Sequence, residues 1–106
     1  MRKIFLSRAA QNSIIQYIQA YRKYFTDLYT DTGIFSEDQI LQYYEEQAII
    51  REREILDLIE KSLSPDEVFW RTLQDTLFLS WRSKFILLAW IDTGNDERII
   101  TDMEIR

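Results

Sequence analysis

The stretch Thr76-Leu77-Phe78-Leu79-Ser80-Trp81-Arg82-Ser83-Lys84-Phe85-Ile86-Leu87-Leu88-Ala89-Trp90-Ile91-Asp92 decides the fold. From Thr76 the apolar residues Leu77, Leu79 and Trp81 alternate with Phe78, Ser80 and Arg82, and a period of two is that of a strand. The alternation breaks at Arg82-Ser83, as in a tight turn. Beyond it, Phe85 to Ile91 is apolar at every position, the pattern of a central strand covered on both faces. Thr93-Gly94-Asn95-Asp96 has turn chemistry. After it, Ile99, Thr101, Met103 and Ile105 alternate with Ile100, Asp102, Glu104 and Arg106, which predicts a half-exposed third strand.

Working back toward the N-terminus, the period lengthens to that of a helix. Ser64-Pro65-Asp66-Glu67 has a capping serine, a proline at the first helical position and a glutamate at the third. It predicts a short helix through about Gln74, anchored by Val68, Phe69 and Leu73. Ser36-Glu37-Asp38-Gln39 is a capping box with acids beside the positive helix end, and it opens a long helix over about Glu37–Leu63. Leu41, Tyr44, Ala48, Ile55, Leu58 and Ile59 mark its buried side.

Arg8 to about Tyr29 is a second helix, with Ile14, Ile18, Tyr21, Phe25 and Leu28 in one stripe, Ser7 as its cap and Gly33 as its stop. Arg2 to Leu6 reads as a short strand, with Ile4 and Leu6 on one face and Lys3 and Phe5 on the other. The predicted order is β-α-α-(short α)-β-β-β, one domain over residues 1–106. It is an α+β fold in which a helical hairpin packs on a mainly antiparallel four-stranded sheet. Ile14, Ile18 and Phe25 should face Leu41, Tyr44, Ile55 and Ile59 in its core.

Composition narrows the chemistry. The 106 residues are 46% hydrophobic, 29% charged and 14% aromatic, with two glycines and one proline, which suits a packed core rather than a disordered chain. Without cysteine there is no disulfide framework, thiol catalysis or cysteine-ligated zinc; without histidine, no imidazole acid–base chemistry. No Gly-rich phosphate loop or serine nucleophile elbow occurs, and Asp92, Asp96 and Glu97 lack EF-hand spacing, so they read as an acidic turn. No cofactor or metal is expected.

Charge is uneven along the chain. Glu37 to Lys61 carries eight acids against three bases, the whole net charge of −5, while the remainder balances at ten and ten. The acidic run reads as a solvated helix face, and the balance argues against general nucleic-acid binding. The apolar run Ile4-Phe5-Leu6 is too short for a signal-peptide core, and Phe85 to Ile91 is too short to span a membrane. With cysteine absent as well, a cytoplasmic protein with no membrane partner is expected.

Two stretches carry a family resemblance. Lys3-Ile4-Phe5-Leu6-Ser7-Arg8-Ala9-Ala10 is similar to the first strand and helix of the RelE/ParE toxin superfamily of bacterial toxin–antitoxin systems. Trp81 to Asp92, followed by Arg98 to Arg106, is similar to its C-terminal hairpin and last strand. The order of elements resembles the family over nearly the whole chain. Resemblance at the level of residues covers about a third.

The resemblance implies one of two activities. RelE-like members cleave mRNA on the ribosome, whereas ParE-like members inhibit DNA gyrase without nuclease chemistry. Both are held inactive by a small antitoxin whose helix or tail lies on the toxin. RelE-like nucleases place Lys or Arg on the meander strands, but Thr76 to Trp81 contains no base. A metal-free nuclease needs cations around the scissile phosphate. The candidates for phosphate or target binding are therefore Arg82, Lys84, Arg98 and Arg106, the last standing where the family has a basic residue after its final strand.

A toxin-like protein acting by protein binding is the expectation, with a gyrase-type target or with its toxicity lost. The alternatives are a small interaction or adaptor protein with a convergent fold, and a ribosome-dependent mRNA endonuclease. One helical hairpin covers one sheet face, so the other face should be open, the competing account being that the Ser64–Gln74 helix folds back with Phe69 and Trp70 and closes it. Phe78 and Phe85, with Trp81 or Trp90, are the candidate partner-binding residues. A cognate antitoxin-like protein or a second copy of the chain would cover them.

Overall fold

A computed structural model describes residues 1–30, 32–66, 68, 72–73 and 76–106, with Thr72 and Leu73 described by their backbone. The elements are β1 (Lys3–Leu6), α1 (Arg8–Thr30), α2 (Glu37–Leu63), β2 (Thr72–Leu73), β3 (Thr76–Trp81), β4 (Lys84–Asp92) and β5 (Glu97–Ile105). This is the predicted α+β fold. Its sheet runs in the order β1-β5-β4-β3-β2, with β1 parallel to β5 and the other pairs antiparallel. The two-residue β2 extends the expected four strands by one at the β3 edge.

Local chemistry sets the helix ends. The Ser7 hydroxyl accepts from the Ala10 N–H at 3.2 Å and donates to the Thr101 carbonyl at 3.0 Å, so one side chain caps α1 and ties it to β5. At α2 the capping box is closed: the Ser36 hydroxyl accepts from the Gln39 N–H, and the Gln39 side chain accepts from the Ser36 N–H. Beyond Thr30, Gly33 takes a positive φ of 65°, which glycine adopts at little cost.

Two cores follow from the helices being longer than the sheet is wide. Ala10 and Ile14 of α1, with Ile55, Ile59 and Leu63 of α2, bury against Leu77, Trp81, Ile86, Leu88, Ile100 and Met103 of the sheet. Farther out, Phe25, Ile40 and Tyr44 join the helices to each other in a second cluster. Of the expected core residues, Ile14, Phe25, Tyr44, Ile55 and Ile59 are buried. Ile18 and Leu41 are half-buried, and Ile40 takes the buried place beside Leu41. Leu28, predicted in the α1 stripe, is exposed.

The last strand departs from simple alternation. Ala89 pairs with Asp102, but Trp90 pairs with Ile100, leaving Thr101 as an extra residue. The Thr101 hydroxyl donates to the Ala89 carbonyl at 3.2 Å and fills the bulge. The side chains therefore change phase. Ile100, Met103 and Ile105 face the helices, and Ile99, Asp102 and Glu104 face away, which corrects the uninterrupted alternation expected for this strand.

The short helix expected from Ser64 to Gln74 is also corrected where the chain is described. Ser64, Pro65 and Asp66 form bends, and Thr72–Leu73 is strand. The reason lies in Arg98, which is only 3% exposed. Its guanidinium donates to the carbonyls of Leu63, Pro65 and Asp66, and a helix starting at Pro65 would take up the last two in its own hydrogen bonds. The expected helix residues Glu67, Phe69, Trp70, Arg71 and Gln74 lie outside the described residues.

Candidate functional site

The β3–β4 hairpin positions the first candidate residues. Trp81 pairs with Lys84 across a two-residue turn, and Arg82 stands in that turn with φ 53°. A left-handed conformation is unfavourable for a residue with a Cβ, and here the side chain is tethered. The Arg82 guanidinium meets the Glu54 carboxylate of α2 through two hydrogen bonds, each 2.9 Å. Glu54 also accepts from the Trp81 indole N–H at 3.0 Å. The Arg82 hydrogen bonds hold the Glu54 carboxyl below the usual carboxylate range, with a smaller contribution from Trp81. The same pairing raises Arg82 above its ordinary value.

The four predicted cations do not converge. Arg82 and Lys84 lie at the hairpin turn, and Arg106 is next to it, its backbone paired with Phe85 and its guanidinium with Glu104 at 2.9 Å. Arg98 is at the far end of β5. There it lies 3.6 Å from Asp92, 4.9 Å from the centre of the Trp90 ring, and under the end of α2. The acidic turn next to it is occupied by a cation from the chain itself. Arg2 approaches Asp92, Asp96 and Asp66 at 3.3, 3.7 and 3.5 Å.

The aromatic candidates divide by sheet face. Phe78, paired with Leu87, and Phe85, paired with Ser80, lie on the face away from the helices. Trp81 is a correction: it is 6% exposed in the core, edge-on to Tyr17 with ring centroids 5.4 Å apart. Trp90 also faces inward, following buried Ile86 and Leu88 in the alternation of β4. Neither tryptophan is on the open face.

That outer face has three members that sequence reasoning passed over. Phe5, Ile99 and Ile91 form a row across β1, β5 and β4. Phe5, Phe78, Phe85 and Ile91 are 47%, 38%, 55% and 52% exposed, and partly buried Leu87 lies between the two phenylalanines of the hairpin. Large apolar side chains gathered on one sheet face are a surface suited to a partner.

On the helix side, a groove of about 900 Å³ runs between α1 and the hairpin turn. Tyr17, Tyr21 and Tyr24 line it from α1, Arg51 from α2, and Arg82 and Lys84 from the turn. Arg51 was also passed over. The signal for it is positional: with Tyr44, Ala48, Ile55 and Ile59 it falls on the inward stripe of α2, a cation where an apolar residue would fit.

Among the described residues, no helix is long and apolar enough to cross a membrane. Compared with known protein families, with curated proteins and with solved structures, the chain gives no match.

Proposed function

We propose that this chain is a protein-binding, toxin-like component of a bacterial toxin–antitoxin pair, of the ParE rather than the RelE kind, working in the cytoplasm. The observation that carries the binding reading is the open outer sheet face with Phe5, Phe78, Phe85 and Ile91 exposed. Rings and branched aliphatics on a rigid sheet give a partner large contact area with little side-chain entropy to lose. The occupant is a small antitoxin-like protein, or the target that competes with it. The toxin reading rests on the resemblance in element order.

The endonuclease alternative has less support from the geometry. Arg98 is committed to three carbonyls, and Arg82 and Arg106 each have a carboxylate partner. That leaves Lys84 as the one of the four without an ion pair among the described residues.

Regulated expression in a bacterium, with growth and DNA supercoiling followed together, tests the reading. Growth should slow and supercoiling should change. The double variant Phe78→Ser, Phe85→Ser should lose both effects while keeping its thermal midpoint. Normal growth and topology, together with a strict monomer at tens of micromolar that binds no hydrophobic dye, would overturn it. Codon-specific mRNA cleavage would move the assignment to the nuclease, and a concentration-dependent dimer lost in the double variant would assign the face to a second copy.

A further inference from the structure

The groove on the helix side has a composition that the fold does not require. Tyr17 lines it, and behind Tyr17 stands the buried Trp81 ring, edge-on to it. Three cations surround these two rings. Arg51 donates to the Tyr17 hydroxyl at 3.3 Å and lies 4.2 Å from the centre of the Tyr21 ring. Arg82 is 5.8 Å from the Trp81 ring centre, and the Lys84 ammonium is 6.0 Å from that of Tyr17.

Arg82 is neutralised by Glu54. Among the described residues, Arg51 and Lys84 form no ion pair with a carboxylate. A chain of net charge −5 thus places two cations outside any ion pair in a concave, tyrosine-lined site, where Glu54 acts on Arg51 only at longer range. Cations outside ion pairs can form charge-assisted hydrogen bonds to an anionic group, and the rings beside them suit its apolar neighbours.

We propose that this groove binds an acidic peptide segment of a partner protein, its carboxylate between Arg51 and Lys84 and its neighbouring apolar side chains against Tyr17, Tyr21 and Tyr24. The site stands apart from the outer sheet face and does not depend on it. A peptide fits better than a nucleic acid. A nucleic-acid strand carries a charge on every nucleotide and requires a track of cations. Here two cations act, and Glu104 lies on the rim beside them. A volume of about 900 Å³ takes several linked side chains, more than a lone anion fills.

The test is an NMR titration of the intact protein with an acetylated, amidated hexapeptide of alternating glutamate and leucine, beside its glutamine counterpart and a uridine oligonucleotide. The glutamate peptide should shift the signals of Tyr17, Tyr21 and residues 82–84, and its affinity should fall with added salt. Lys84→Glu and Arg51→Gln should each weaken it at least tenfold, with thermal midpoints recorded to confirm folding. Lys84→Gln provides a milder second variant. Lys3→Glu, on the other sheet face, should leave affinity unchanged. No shifts at millimolar peptide, equal binding of the glutamine peptide, or tighter binding of the oligonucleotide would each overturn the proposal.

Discussion

Arg98 of β5 donates to the carbonyl of Leu63, the last residue of α2, and so fastens the end of the long helix to the sheet. Cations are favoured at a helix C-terminus because the unpaired carbonyls there carry partial negative charge. This guanidinium also serves Pro65 and Asp66 and lies over Trp90. Arg98→Met should leave these carbonyls without a donor and lower stability by about 2–4 kcal/mol, judged from the cost of losing buried hydrogen bonds to a charged group. Arg98→Lys should recover only part, because a single ammonium does not reproduce the planar fork. Urea unfolding of the three proteins measures both effects.

Ile55 is fully buried in the main core, whereas Ile49 on the same helix is exposed. Ile55→Ala should cost about 2–5 kcal/mol through lost burial and the cavity left behind. Ile49→Ala should stay within about 0.5 kcal/mol of the parent. Paired denaturation curves distinguish them, and equal losses would mean that the helical phase of α2 is wrong.

Acid should weaken the fold through two carboxylates. Asp92 is held below its ordinary value, first by the Gly94 N–H and then by the charges of Arg2 and Arg98. Glu54 is lowered first by the Arg82 hydrogen bonds and then by that from Trp81. In the acid window the unfolded chain binds more protons than the folded one, so stability rises with pH there. Their contribution is complete above the ordinary carboxylate range and is lost as pH falls through the depressed values, from about pH 5 downward. Asp92→Asn and Glu54→Gln should each flatten the slope of the urea midpoint against pH in that range, leaving it unchanged near neutrality.

What was legible in the sequence was what neighbours along the chain decide. The box from Ser36 to Gln39 closes within one helical turn, and the β3–β4 turn falls where the alternation breaks. The bulge at Thr101 was not legible, because it exists only relative to β4. Nor was the use of Arg98, which depends on where α2 ends in space. Alternation by itself sets Trp81 opposite Phe78 and Trp90 opposite Phe85, so the burial of the tryptophans was legible once Phe78 and Phe85 were assigned to the open face; which of the two faces the helices cover is a tertiary fact. Arg51 needed the same knowledge: its place on the inward stripe becomes a site only when the hairpin turn brings Lys84 to the same tyrosine.

The hairpin turn sets two effects against each other at Arg82. Its φ of 53° is a conformation that glycine adopts freely and that costs other residues about 1–2 kcal/mol. The ion pair with Glu54 opposes this, but both side chains are more than a third exposed, and such pairs contribute only about 0.2–1 kcal/mol. Arg82→Gly removes the pair and the strain together, and it also adds freedom to the unfolded chain. It should therefore stay within about 1 kcal/mol of the parent. Arg82→Ala removes the pair and keeps the strain, so it should be the less stable of the two by about 1 kcal/mol. Urea midpoints of the two variants, with Glu54→Gln added to each, test the ordering. An alanine variant as stable as the glycine one would mean that the turn is not left-handed in solution and that Glu54 holds Arg82 in some other geometry.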